Sequence, residues 1–281
     1  TYAHMFTDSV PDNAIVATFC DNSSHIVGYE HYANGVAPNI YFTFGMPLNV
    51  YLLQPKDGWT LNLKRAFLKD FIFRPQLNPL NLSRTLSEEE IKTRPFFTEF
   101  AVSEEGDMYS YCLPHGFLLQ VLERKTTDAE VLAADVKFKS EHPELFEKPK
   151  ARINRMSSEA FAYAHLRRAL FFLKRKMYQH SIEDLEIAMA WSPKNPQIMF
   201  PYGAALEEVK DYQGAEMAYL DCIDSMPEFV NARQNLALLY LYAGREDLAM
   251  KFAKEELILS KGAKNTKQLV DLLEKRAASK K

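Results

Sequence analysis

Residues 193–227 read PKNPQIMFPYGAALEEVKDYQGAEMAYLDCIDSMP, and this stretch contains one full unit of an internal repeat. Pro193 and Pro227 each follow a helical pattern and are 34 residues apart. The same step aligns Tyr178 with Tyr212, and it aligns small residues in two columns: Ser181, Ala215 and Ala249, and Ala169, Gly203 and Ala237. Small residues let the two helices of a hairpin approach, so the spacing predicts helical hairpins that repeat along the chain.

Residues 157–281 resemble the tetratricopeptide (TPR) family in this spacing and in these columns. We predict about three repeats, of which the second matches best. The first repeat departs from the pattern, with Arg168 at a position that is usually apolar and Lys176 where glycine is usual. A hairpin cannot bury its apolar face alone, so the array needs a final cap. Residues 264–278 predict that capping helix, with Leu269, Leu272 and Leu273 on one side.

The first helix of each hairpin is expected to line a groove for a protein or peptide partner. The candidate partner-binding residues are Tyr163, Leu166, Phe200, Glu207, Gln234 and Tyr242. Family members that hold peptide C-termini use a set of Lys and Asn residues, which this groove lacks. The alternative is that the aromatic residues of this short array pack against the neighbouring domain.

Residues 1–125 predict a small Rossmann-like α/β domain with a mostly parallel sheet. The apolar runs at residues 14–20 and 40–44 are typical of buried parallel strands, and residues 24–33 between them predict a helix. We therefore expect the two strands to be parallel neighbours joined by a right-handed crossover. Further strands are predicted at residues 93–100, 109–112 and 116–122, with a helix at residues 61–71.

A candidate ligand rim lies where the first strand ends. Ligands bind open α/β sheets at the carboxyl ends of the strands, which would place Asp21, Asn22, His25 and His115 at one rim. These side chains could do acid–base work or bind a metal. The interpretation that we favour is that Asp21 caps the following helix and that the histidines lie on the surface. The chain has no glycine-rich phosphate loop and no Gly-x-Ser-x-Gly elbow. We therefore predict no catalytic residues, no metal and no cofactor.

Residues 126–156 predict a helical linker that holds the two halves rigidly together, because the segment has no glycine and no serine-rich run. Phe161, Phe171 and Phe172 give the first repeat more apolar surface than its hairpin partner can cover. Such a surface marks an interface, and the α/β domain is the nearest candidate.

Four segments of the first half carry a second resemblance: VPDNAI (residues 10–15), GVAPNI (residues 35–40), RPFFT (residues 94–98) and LPHGFL (residues 113–118). They resemble the soluble part of polytopic membrane proteins related to the GT-C protein O-mannosyltransferases. Ala37 and Asn39 depart from the usual Arg and Asp of that pattern. The resemblance implies an extracytoplasmic domain that is not itself catalytic, in a chain whose upstream membrane segment carries the glycosyltransferase chemistry.

Composition narrows the remaining function classes. The chain has 281 residues, a net charge of −3 and no concentrated basic face. This composition argues against nucleic-acid binding. Cys20, Cys112 and Cys222 lack the paired spacing of a zinc site or a disulfide framework. The chain begins Thr-Tyr-Ala-His, from which we expect a fragment of a longer protein. Besides the extracytoplasmic domain, two alternatives stay open: a free-standing adaptor, which could be cytoplasmic, and a small α/β enzyme acting at the Asp21 rim.

Overall fold

The computed structural model describes residues 10–11, 13–18, 40–44, 62, 64, 88–99, 108–149 and 155–279. Contacts within the chain divide it into two compact units, Thr1–Arg175 and Lys176–Lys281. This division falls later than the predicted boundaries at 125/126 and 156/157. The helix predicted at residues 24–33 lies outside the described residues. In the helix predicted at residues 61–71, Asn62 and Lys64 are described and both are helical.

The first unit contains a five-stranded sheet in the described part of the chain. Its strands are β1 (Ile15–Thr18), β2 (Tyr41–Phe44), β3 (Phe96–Thr98), β4 (Cys112–His115) and β5 (Leu118–Val121), in the order β2-β1-β3-β5-β4. β1 pairs in parallel with both β2 and β3, which confirms the predicted parallel neighbours. A short helix, α1 (Glu88–Thr93), leads into β3.

The other half of the sheet is antiparallel, so the sheet is mixed and the prediction of a mostly parallel sheet is wrong for the described strands. β5 pairs antiparallel with both β3 and β4. The reason is local: only Gly116 and Phe117 separate β4 from β5, and a two-residue connection can join only antiparallel strands. Gly116 has a φ of +65°, which a glycine adopts without strain. Met108–Tyr111 is a 3-10 helix, so the strand predicted at residues 109–112 is wrong for residues 109–111.

The core of this unit forms around β1. Ile15, Val16 and Ala17 have no exposed surface, as their continuous apolar run predicted for a strand covered on both faces. Val16 packs in one cluster with Phe97 of β3 and Phe117 of the hairpin turn. The start of β1 is held to the residue before β3, because the Ile15 N–H donates to the carbonyl of Pro95 at 2.9 Å.

The segment predicted as a linker contains helix α2 (Asp128–Glu141) and a 3-10 turn at Pro143–Phe146. Thr127 and Glu130 form a capping box at the start of α2, each side chain accepting from the other residue's backbone N–H. Hydrogen bonds from Arg124 and Thr127 lower the pKa of Glu130 to about 2. α2 packs against β4 inside the first unit.

Helix α3 (Arg155–Lys174) also belongs to the first unit, although the sequence predicted it as the first helix of the repeats. Phe171 and Phe172 are fully buried, and the Phe171 ring lies 5.9 Å from that of Tyr109. Phe161 packs on the core cluster around β1. The expectation that these aromatics face the α/β domain is therefore confirmed for α3.

Arg168 explains why the first repeat departs from the pattern. Its side chain is fully buried and forms an ion pair with Asp135 of α2. It also donates to the carbonyl of Gly116 at 3.1 Å, and its guanidinium lies over the rings of Phe146 and Phe172. The residue that is anomalous for a repeat is therefore the residue that fixes α3 to the first unit.

The second unit consists of six helices over residues 178–279. They are α4 (Tyr178–Trp191), α5 (Pro196–Glu208), α6 (Tyr212–Ser225), α7 (Ala232–Tyr242), α8 (Glu246–Leu259) and α9 (Lys264–Ser279). α4, α6 and α8 begin at residues 178, 212 and 246 and end at residues 191, 225 and 259, so both ends recur every 34 residues. The predicted period is confirmed.

Local sequence sets the ends of these helices. Asn195 caps α5 by accepting from the N–H of Gln197, with Pro196 at the first helical position. Asp211 caps α6 by accepting from the N–H of Gly214 at 2.9 Å. α5 packs against α6 and α7 against α8, so each pair forms a hairpin.

Candidate protein-interaction face

The predicted ligand rim is described at only one of its residues, since Asp21, Asn22 and His25 lie outside the described residues. His115 ends β4 and is half-buried, with its ring 5.2 Å from that of Phe97. In the strand order, β5 and β3 separate β4 from β1. Three strand spacings amount to about 14 Å, so His115 lies well along the sheet from the end of β1.

A buried carboxylate that the sequence did not single out lies just after β3. Glu99 is 1% exposed, and its N–H donates to the carbonyl of Ala17 in β1. Its Oε1 accepts from the guanidinium of Arg167 at 3.0 Å. The two residues are 68 positions apart, so no local pattern could have paired them. The pair joins α3 to the carboxyl end of the central strand β3 and gives this carboxylate a structural role.

Two of the predicted groove residues, Tyr163 and Leu166, lie on α3 in the first unit. Tyr163 is half-buried, and Leu166 is buried. The other four lie on the first helices of the hairpins in the second unit: Phe200 and Glu207 on α5, and Gln234 and Tyr242 on α7.

These two helices each leave one side uncovered. On α5 the half-buried residues Phe200, Ala204 and Glu207 recur at helical spacing, between positions that are buried in the hairpins. On α7 the residues at this spacing are Gln234 and Leu238, which are half-buried, and Tyr242, which is exposed. We call these six residues the α5–α7 face.

Phe200 anchors this face at the amino-terminal part of α5. Its ring lies 6.0 Å from that of Tyr219 and 5.7 Å from that of Phe229. Phe200 also packs on the buried cluster of Met199, Cys222 and Ala232. The ring is thus held by its own hairpin and by the start of the next one, with only part of it open to a partner.

Glu207 is held in place by a chain of hydrogen bonds through the hairpins. The buried Tyr219 hydroxyl donates to Glu207 Oε2 and accepts from Asn235 Nδ2 at 3.1 Å. Burial raises the pKa of Glu207, while the bond from Tyr219 acts in the opposite direction. Burial and the neighbouring Glu207 raise the pKa of the Tyr219 phenol, so it remains a donor. The result is a carboxylate with a fixed orientation on the face.

Gln234 connects α7 to the capping helix. Its Oε1 accepts from the hydroxyl of Thr266 in α9 at 2.7 Å, and Thr266 is 1% exposed. Tyr242, at the last position of α7, is 85% exposed. A tyrosine ring this open at the end of a first helix is the most accessible aromatic on the face.

A second buried carboxylate, which belongs to α8, lies against the start of α7. Glu256 has no exposed surface, and its Oε1 accepts from the N–H of Asn231 at 2.8 Å. Asn231 has a φ of +76°, and α7 begins at the next residue. Burial raises the pKa of Glu256, whereas the Asn231 bond and the charge of Arg233 act to lower it. No local pattern in the sequence indicates this interaction.

Neither a metal site nor a membrane span is found in the described part of the chain. Its His, Cys, Asp and Glu side chains form no group that could hold a metal ion. None of the helices over the described residues has the length and apolar character needed to cross a bilayer.

No protein-family model matches the chain, and no curated protein matches it. Among solved structures, the chain is similar to the first TPR of Spaghetti (RPAP3) bound to the HSP90 peptide SRMEEVD, at 15% identity and a TM-score of 0.40, covering 42% of this chain and 93% of that one. It is similar to the Sgt2 TPR domain from Aspergillus fumigatus at 15% identity and a TM-score of 0.40, covering 42% and 79% of the two chains. It is similar to MamA at 15% identity and a TM-score of 0.43, covering 53% and 78%. The 34-residue spacing of the chain's own helices identifies the tetratricopeptide type of repeat independently of these likenesses.

Proposed function

We propose that the second unit is a non-catalytic recognition module that binds a segment of a partner protein across the α5–α7 face. The observation that carries this proposal is the face itself. It combines an accessible aromatic, Tyr242, with Glu207 and Gln234, whose polar groups are held by neighbouring helices. Side chains already fixed before binding lose less conformational entropy when a partner docks.

A peptide-display selection against the whole chain tests this function. We expect selected peptides to bind about tenfold more weakly to Tyr242→Ala, because aromatic anchors dominate interface energetics. Ile258→Ala is the matched control, since Ile258 is 79% exposed but lies on α8, the second helix of its hairpin. Equal loss in both variants, or no loss in Tyr242→Ala, contradicts the proposed face.

We further propose that the chain is the extracytoplasmic part of a glycosyltransferase-like membrane protein and presents the module beside its active site. The packing of the motif segments supports this proposal. Arg94 of the RPFFT segment donates to the carbonyl of Asn13 in the VPDNAI segment at 3.0 Å, and β1 and β3 lie side by side. The VPDNAI and RPFFT segments, which lie far apart in the sequence, therefore belong to one structural unit.

Two measurements test this assignment. Protease protection of the native full-length protein in sealed vesicles is expected to place residues 1–281 on the extracytoplasmic side. The purified chain alone is expected neither to transfer nor to hydrolyse sugars. Cytoplasmic exposure in the first measurement, or turnover that Asp21→Ala abolishes in the second, overturns the assignment.

A further inference from the structure

We infer that the partner segment recognised by the α5–α7 face is basic, with a Lys or Arg side chain bound between Glu207 and Tyr242. The inference rests on the proposed recognition function and specifies the chemistry of its ligand. It follows from the charges on the two helices, from the fixed carboxylate and from the position of the exposed aromatic.

The charges on the face have one sign. α5 contains Glu207 and Glu208 and no Lys or Arg. α7 contains one basic residue, Arg233, which is 7% exposed and pairs with Glu255 of α8 at 3.2 Å. A carboxylate ligand would therefore meet acidic groups and no accessible cation on either helix, whereas a basic ligand would meet complementary charge.

The acidic residues of α5 and the exposed tyrosine of α7 lie at the carboxyl ends of their helices. Glu207 and Glu208 end α5, and Tyr242 ends α7. The carboxyl end of a helix carries partial negative charge on its last carbonyl groups, which favours a cation there. Tyr242 is 34 residues after Glu208, so it holds in α7 the position that Glu208 holds in α5. The repeat thus places Tyr242 at the point equivalent to Glu208, next to the position of Glu207.

Glu207 is suited to receive a cation because half of its carboxylate is already fixed. Oε2 accepts from the buried Tyr219 hydroxyl, and Oε1 accepts no hydrogen bond from the residues that the structure describes. A partly buried acceptor of fixed orientation loses little entropy on binding, and partial burial weakens screening by salt. The exposed ring of Tyr242 can take the alkyl stem or the charged head of the same basic side chain.

Three matched sets of synthetic 12-residue peptides test the inference by fluorescence anisotropy on the whole chain. All sets carry Leu and Phe at the same positions, and the intervening positions are Lys or Arg in one set, Gln in the second and Glu in the third. We expect the basic set to bind at least about tenfold more tightly than the Gln set, with weaker binding at 0.5 M salt. The Glu set is expected to bind most weakly.

Variants identify the groups involved. Glu207→Gln keeps an oxygen for Tyr219 but removes the charge, and is expected to weaken binding of the basic set by about tenfold and that of the Gln set by much less. Glu274→Gln is the control, because Glu274 pairs with Lys254 on an exposed surface of α8 and α9. Basic and Gln peptides that bind equally, or a Glu207→Gln variant that binds the basic set normally, overturn this inference and leave the recognition module intact. Absence of binding by all three sets overturns both.

Discussion

The contact between Gly203 and Tyr219 shows how single residues determine the packing of a hairpin. The repeat columns predicted a small residue at position 203, where the two helices of the hairpin approach. In the structure a Cβ placed on Gly203 would lie 2.6 Å from Tyr219 Cε1, inside van der Waals contact, and Tyr219 has no exposed surface. The sequence predicted close packing of the two helices at Gly203, because small residues recur in its column, but it did not predict the contact with Tyr219.

The first prediction concerns this contact. Gly203→Ala is expected to destabilise the chain by about 1–3 kcal/mol, because the methyl group forces the buried ring to move. In a Tyr219→Leu background the ring is gone, and the same substitution is expected to stabilise by about 0.5–1 kcal/mol, the usual helix preference for alanine over glycine. Urea unfolding of the four variants measures the cycle. The same sign in both backgrounds would show that the ring is not the obstacle.

Glu256 could not be predicted in the same way. A glutamate in an amphipathic helix is usually solvated, and nothing in the local pattern of α8 marks this one as buried. Its burial depends on Asn231, 25 residues earlier, whose N–H needs an acceptor as α7 begins. Such long-range pairings follow from packing, which a single sequence does not display.

The second prediction is a pH dependence. Burial raises the pKa of Glu256 in the folded chain above its value in the unfolded chain. Its favourable contribution is therefore complete below the ordinary glutamate pKa of about 4.3 and is lost as pH rises through the folded-state pKa. Glu256→Gln keeps an acceptor for Asn231 and has no charge to bury. We expect it to be more stable than the parent at pH 8 and to lose this advantage at pH 4, in urea titrations.

The control for this pH dependence is Glu274→Gln, which alters an ion pair whose two side chains are 54% and 55% exposed. Its effect on stability is expected to be within about 0.5 kcal/mol at both pH values. If Glu256→Gln destabilises the chain at pH 8, the charged carboxylate is favourable where it lies.

At the scale of elements, the sequence periodicity predicted the repeat helices directly. The apolar runs predicted the sheet only in part. β1 and β2 were recognisable as continuous apolar runs, and their parallel pairing was correct. The antiparallel β4–β5 hairpin depends on a two-residue turn at Gly116. The sequence indicated the strand after this glycine but not the pairing that the turn imposes.

The third prediction concerns the capping helix α9, which presents an apolar side to the rest of its unit. Leu273 is 2% exposed and Leu272 is 45% exposed, although they are adjacent. Leu273→Ala is expected to cost about 2–5 kcal/mol of unfolding free energy, the range for a buried leucine. Leu272→Ala is the internal control and is expected to stay within about 1 kcal/mol, since much of its side chain is solvated. Equal effects would contradict the orientation of α9.

At the scale of the whole molecule, the chain separates into two compact units that do not coincide with its repeat pattern. Arg175 illustrates how firmly the end of α3 is held in the first unit. Its guanidinium donates to the carbonyl of Tyr109, to both oxygens of Thr126 and to the carboxylate of Asp128. The predicted rigid attachment of the two halves stays a prediction, and solution scattering that gives one compact shape would support it.

The fourth prediction is that a destabilising substitution in one unit affects the stability of that unit alone. Arg168→Met leaves Asp135 as a buried charge that has lost one of its two cationic partners, with Lys139 remaining at 3.1 Å. Hydrogen exchange followed by mass spectrometry is expected to show faster exchange in α2, α3, β4 and β5 and unchanged exchange in α6–α8. Acceleration spread evenly over both units would show that the molecule unfolds as one.

The burial of Arg168 bears on how this chain can be cut and recombined. By its repeat register, α3 opens the array, so a module excised at residue 157 would carry away the helix that supplies Arg167 and Arg168. The sheet unit left behind would keep Glu99 and Asp135 without these partners, in sites almost closed to water. Division after Arg175 leaves both ion pairs intact. The chain can therefore be divided after Arg175 without leaving an unpaired buried charge. This point lies one helix later than the start of the repeats.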